Sequence, residues 1–187
     1  SDVCSSDLPI DCKPLTVPVL SPRVDAIDAL AQRLLHAKRP LLWVGGGARG
    51  AGEAVERLAN LGWAVVSSVQ GRGVLREDHP MSLGSYNLQK PAEAFYSGLD
   101  ALLTVGTRLR SNETLTYQLK LPQPHYRIDA NALVENRAYP SELFVHGDAA
   151  LSLHALADRL EGHMQIDPKL ATDVRQARRA CEAVVDH

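Results

Sequence analysis

Apolar residues fall along this chain in two alternating rhythms. Ile27, Leu30, Ala31 and Leu34 recur at helical spacing after Ser21-Pro22, a capping residue followed by proline, and the spacing predicts a helix over about 23–37 that Pro40 stops. Leu41-Leu42-Trp43-Val44 is a short run with no polar residue, the pattern of a strand covered on both faces. Val55, Leu58 and Ala59 predict a helix over about 51–61, closed by Gly62, and Trp63-Ala64-Val65-Val66 a second buried strand. Gln70 to Gly84 reads as a long loop.

The rhythm continues past that loop. Pro91 to Gly98 reads as a short helix, and Asp100 to Val105 as a third strand ending at Gly106. Ser111 opens a helical stretch that Pro122 halts; His125–Asp129 and Leu143–Val145 are the fourth and fifth strands. Asp148 is placed to cap a helix whose inner face is Leu153, Leu156, Ala157 and Leu160. Strands and helices alternating in this way predict an α/β domain, three layers in a Rossmann-like arrangement, with a five- or six-stranded parallel sheet.

Composition narrows the class. The chain has 187 residues, 45% of them hydrophobic and 22% charged, with a formal net charge of -2, and these values describe one globular domain. Neither the basic stripe that nucleic acid requires nor an apolar run of roughly 20 residues for a membrane span is present, so neither partner is expected. Cys4, Cys12 and Cys181 are odd in number and far apart, which argues against a disulfide framework or a zinc site and for a reducing cytoplasm. Ser1 to Leu8 resembles translated adapter sequence and is set aside. Pro9 to Pro22 is proline-rich, as linkers often are, and residues 163–187 read as a charged helical linker leading out of a domain over 23–162.

The candidate chemistry lies where the predicted strands end. Ligands of parallel sheets bind at the carboxyl ends of the strands, and Gly45, Gly46, Gly47, Gly71, Gly106 and Gly147 cluster there. Gly45-x-Gly47-x-x-Gly50 fits the dinucleotide pattern in strand-turn-helix context, which would bring backbone N–H groups against a phosphate. A tight turn without a ligand explains the same glycines equally well. The acidic residue expected after the second strand for the ribose is replaced by Ser67-Ser68-Val69-Gln70, which disfavours a standard NAD domain. Arg49 and Arg72 flank the glycine loops as phosphate candidates; Arg108 could clamp an anion, and Arg110 reads as solvated surface. No zinc-hydrolase or serine-hydrolase motif is present, and His146-Gly147-Asp148 reads as a strand end plus helix cap, so no catalytic or metal-ligating residue is assigned.

Several segments together resemble one family. Arg39 to Gly47, Gln70-Gly71-Arg72-Gly73, Glu77-Asp78-His79-Pro80, Asp100 to Arg108, Ile128-Asp129 and Val145 to Asp148 are similar, in order and spacing, to the central domain of thiamine-diphosphate enzymes such as acetolactate synthase and benzoylformate decarboxylase. The resemblance runs over about Pro9 to Gly162. It implies a larger 2-oxo-acid decarboxylase or carboligase, a homodimer or homotetramer. Thiamine diphosphate and Mg2+ would be held by pyrimidine- and diphosphate-binding domains outside this chain, which would be inactive alone. In acetolactate synthases the central domain binds FAD, which would place a nucleotide cleft at Gly45, Gly46, Gly47, Gly50, Gly71, Arg72, Gly106 and Arg108. Here Arg108-Leu109-Arg110-Ser111 departs from that subgroup's R-F-D-D-R, so FAD is not carried over and the cleft is expected to be vestigial. Ser68 to Leu75, Asn87-Leu88-Gln89, Glu93 to Tyr96 and Arg108 to Thr114 look similar to 2-ketoarginine (5-guanidino-2-oxopentanoate) decarboxylases. The competing readings are a freestanding FAD- or NAD-binding domain of an oxidoreductase or electron-transfer flavoprotein, and a sirtuin-like deacylase, whose four-cysteine zinc module is absent.

Overall fold

Strand β1 (Pro40–Val44) lies at the centre of a six-stranded sheet with β4 (Ala101–Val105) beside it, in the computed structural model, which describes residues 19–135 and 137–185. Both strands are buried along their whole length, as the apolar run of β1 and the run of β4, broken only by Thr104, require. The order is β3-β2-β1-β4-β5-β6, with β2 at Ala64–Ser67, β3 at Ser82–Gly84, β5 at His125–Asp129 and β6 at Leu143–His146, and every pairing is parallel.

Helices α1 (Val24–Leu34), α2 (Gly52–Asn60) and α4 (Ala149–Leu160) pack together, and α3 (Lys90–Tyr96) packs with α5 (Leu170–Val185). The chain moves one way along the sheet from β1 to β2 and back from β3 to β4. Right-handed crossovers therefore place α2 and α3 on opposite faces, which gives the three layers. The register aligns Trp43, Thr104 and Arg127 in one row across β1, β4 and β5. Trp43 meets the Tyr96 ring of α3, with centroids 6.1 Å apart, so this row faces the α3 layer.

Four expectations are corrected. Helix α1 starts at Val24, and Pro22 does not open it: Leu20 C=O accepts from Asp148 N–H at 2.7 Å, and Pro22 lies 2.8 Å from where a side chain on Gly147 would begin. The loop from Gln70 contains a sixth strand, β3, whose 3 residues are too few to show a period. The helix expected from Ser111 to Pro122 is a single 3-10 turn, Ser111–Glu113, after which Leu115, Thr116 and Tyr117 take left-handed φ values of 49°, 56° and 63°. Finally, α5 is docked on the sheet: Leu170, Val174 and Cys181 are fully buried, while Val184 faces solvent. The segments read as adapter (1–8) and as the start of the linker (9–18) lie outside the described residues.

A charged clamp holds α5 in place. Arg39, entering β1, donates to Gly98 C=O (2.7 Å), Asp167 (2.5 Å) and Asp173 (2.6 Å), tying the α3–β4 turn and the start of α5 to the central strand. On β5, buried His125 donates from Nδ1 to Pro140 C=O (3.1 Å), which leaves Nε2 to accept from the Thr104 hydroxyl (2.8 Å). Burial, then the charge of neighbouring Arg127, pushes the imidazole from 6.5 down to about 4.

Two outcomes are expected. Arg39→Ala should lower stability by about 2–3 kcal/mol in urea unfolding and speed amide exchange along 170–181, with Arg39→Lys rescuing only part, because one ammonium cannot reproduce the guanidinium fork. For His125, the folded value lies below the unfolded one, so the unfolded chain takes up the proton first. Stability from this group is intact above about pH 6.5 and is lost as pH falls towards about 4, for a total of about 3 kcal/mol. Urea midpoints measured across that window should fall more steeply for the native chain than for His125→Asn; equal slopes would contradict the assignment.

Candidate functional site

The glycine-rich loop leaves β1 directly into a 3-10 turn, Gly46–Ala51, before α2 begins. Facing it, β4 ends at Gly106, which takes a left-handed φ of 59°. A cleft of about 190 Å³ opens between them, lined by Gly46, Gly47, Gln70, Gly106, Thr107, Arg108, Arg110 and Glu113. It is smaller than the roughly 300–1,000 Å³ of typical ligand pockets.

Of the sequence-predicted residues, Gly46, Gly47, Gly106 and Arg108 meet in this cleft. Gly45 and Gly71 lie behind it, packed on backbone: a side chain on Gly45 would begin 2.4 Å from Gly106 O, and one on Gly71 2.3 Å from Val44 O. Gly50 stands apart, with nothing within 4 Å of where its side chain would begin. Arg72 is turned away; it donates to Glu77 at 2.8 Å and borders a different hollow with Tyr86 and Arg178. Arg49 crosses from the first loop to the second, donating to Gln70 C=O at 3.0 Å. Arg110, read as solvated surface, instead lines the cleft. Thr107 and Glu113 were not singled out from sequence; Glu113 stands three residues after Arg110, from where its carboxylate reaches back to the Arg110 N–H.

The local geometry explains why glycine is required. Gly45 N–H donates to Val105 C=O (2.9 Å), Gly47 N–H to Gly106 C=O (2.9 Å) and Ala48 N–H to Gly45 C=O (3.1 Å). These donors are spent within the protein. The faces left bare by missing side chains are likewise filled: a side chain on Gly47 would begin 2.8 Å from Gly106 Cα, and one on Gly106 2.5 Å from Gly47 C. The two loops therefore touch backbone to backbone.

Charge is distributed unevenly around the cleft. Among the described residues, Arg108 and Arg110 form no ion pair, whereas Glu113 is buried and accepts from Arg110 N–H at 3.0 Å. The acid sought after the second strand stands instead at the end of β5. Burial raises the Asp129 carboxyl above its ordinary range, with Arg127, Arg108 and His146 opposing, and its oxygen is taken by Asn131 N–H at 2.8 Å. Asp129 does not line the cleft.

Substitutions should separate packing glycines from ligand glycines. Gly106→Ala combines a left-handed backbone with backbone contacts that cannot yield, and should cost about 3 kcal/mol or more. Gly50→Ala should be neutral or stabilise by up to about 1 kcal/mol, although it removes the last glycine of the dinucleotide pattern. Thermal unfolding of both variants checks this; a large loss for Gly50→Ala would contradict it.

Comparison with known proteins identifies the family. The family described as "Thiamine pyrophosphate enzyme, central domain" matches residues 27–156. The chain is 34% identical over 158 residues to "Probable 2-ketoarginine decarboxylase AruI" of Pseudomonas aeruginosa, covering 84% of this chain and 28% of that protein. It is 32% identical over 138 residues to pyruvate oxidase of Lactiplantibacillus plantarum, covering 72% of this chain and 23% of that one. The chain thus spans about a quarter of the length of these relatives. A solved structure assigned to a thiamin diphosphate-dependent enzyme of Mycobacterium smegmatis shares the fold, with a TM-score of 0.63 at 22% identity, over 82% of this chain and 32% of that one. The chain belongs to the thiamine pyrophosphate enzyme family and corresponds to its central domain.

Proposed function

We propose that this domain is the non-catalytic centre of a larger thiamine-diphosphate- and Mg2+-dependent enzyme that decarboxylates or ligates 2-oxo acids, with both cofactors held outside it. The observation that carries the reading is the family match across residues 27–156. The residues present do not fit the cofactor. Among the described residues no group of three or more His, Cys, Asp and Glu converges to hold a metal ion. Asp148 spends its carboxylate on Leu151 N–H (3.0 Å) at the start of α4, and His146 donates to Ala130 C=O (3.0 Å).

FAD fits no better. A dinucleotide diphosphate needs backbone donors, and those of Gly45, Gly47 and Ala48 are taken. The one acid lining the cleft, Glu113, spends Oε2 on Arg110 N–H and the Thr107 hydroxyl, and phosphate contacts alone leave adenine and ribose to be ordered without compensation. The cleft therefore serves packing between loops. The similarity to a 2-ketoarginine decarboxylase supports a guanidino 2-oxo acid as the parent's substrate, chosen by its other domains. A cytoplasmic homodimer or homotetramer is the expected setting; no helix among the described residues is long and apolar enough to cross a membrane.

Calorimetric titration of the chain with thiamine diphosphate and Mg2+ should give no binding and assays no decarboxylation; micromolar binding would overturn the reading. The full-length parent, denatured after purification, should release no flavin. Stoichiometric FAD would move it towards the acetolactate synthases.

A further inference from the structure

We propose that Glu113 is a built-in anion that sets the cleft against diphosphate ligands, an assignment that rests on the cleft being a packing site. Its carboxylate is buried beside Gly106 and lines the same hollow as Gly46, Gly47, Arg108 and Arg110. Oε2 accepts from Arg110 N–H at 3.0 Å and from the Thr107 hydroxyl at 3.5 Å, positions from which backbone and hydroxyl donors would otherwise serve a ligand oxygen. The residue cannot swing out cheaply. Its own carbonyl is held by the buried amide of Asn87 at 3.0 Å, and its side chain reaches back to the Arg110 N–H that opens the Ser111–Glu113 turn.

The two arginines would otherwise invite an anion. Arg108 and Arg110 line the cleft, and neither has a carboxylate within ion-pair distance among the described residues, whereas Arg72 and Arg76 nearby are both paired. A diphosphate entering between the glycine loops would meet these guanidinium groups and the Glu113 carboxylate together. Like charges brought close in a partly buried site repel far more than in water, so one fixed carboxylate offsets much of what the arginines offer. Neutralising that carboxylate while keeping its shape should release the attraction.

The test uses inorganic pyrophosphate as the probe, by calorimetry at low salt, on the native chain, Glu113→Gln, and Glu113→Gln combined with Arg108→Ala and Arg110→Ala. Glutamine keeps an oxygen for both accepted hydrogen bonds and carries no charge. The native chain should bind in the millimolar range or not at all. Glu113→Gln should bind at least tenfold tighter, with the gain lost on raising salt and on removing the arginines. If the native chain already binds at micromolar concentration, the packing reading of the cleft fails. If the native chain does not bind and Glu113→Gln gains less than threefold, the packing reading stands and the Glu113 assignment is overturned. Glu113→Met, of equal length and uncharged, carries the same expectation. Loss of the fold in both uncharged variants, read by circular dichroism, also overturns the proposal, which requires the charge to be dispensable for folding.

Discussion

At the carboxyl ends of β1 and β4, two loops meet with no side chain between them. Gly45 and Gly47 give their N–H groups to Val105 and Gly106, and Gly106 turns through a left-handed backbone so that its carbonyl can receive the second of these bonds. Neither loop can move without the other. The contact fixes where β1 hands over to α2 and where β4 hands over to the Arg108–Glu113 segment, and a third glycine, Gly71, brings the loop after β2 onto Val44. The centre of the sheet is thus narrowed to a cleft of about 190 Å³ at the end where related α/β folds open to a ligand.

Narrowing of that end has consequences for charge and for the outer layers. With the Gly45, Gly47 and Ala48 donors spent, the charged groups lining the cleft are two arginines and one buried glutamate, while Asp129 lies outside it, committed to its own turn. The far end of the sheet is secured differently, by Arg39 reaching Gly98, Asp167 and Asp173. The domain is locked by glycine contact at one end and by a charged fork at the other. The family match places this body as a central domain.

Much of this was legible in the sequence because burial on both faces erases polar residues from a strand. Leu41 to Val44 and Ala101 to Val105 could be little else, and their ends located the glycine cluster correctly. The short edge strand Ser82–Gly84 was not legible, because 3 residues carry no period. Nor was the left-handed run at Leu115 to Tyr117, which no glycine announces. The use of the glycines was ambiguous for a deeper reason. Bare backbone is needed equally by a phosphate and by another loop, and only the hydrogen-bond partners of Gly45, Gly47 and Ala48 distinguish the two. Arg72 and Arg110 exchanged their expected roles because side-chain direction past a strand end depends on the loop geometry. Glu77 draws one arginine away, and the Ser111–Glu113 turn brings the other in.

The central claim is that these loop donors belong to the protein and are not offered to a ligand. Amide hydrogen exchange at Gly45, Gly47 and Ala48, resolved by nuclear magnetic resonance with and without FAD, reads it directly. The account predicts exchange as slow as that of the β1 and β4 core amides, with rates and chemical shifts unchanged by FAD. Fast exchange at Gly45 and Gly47 that slows on adding FAD would contradict it.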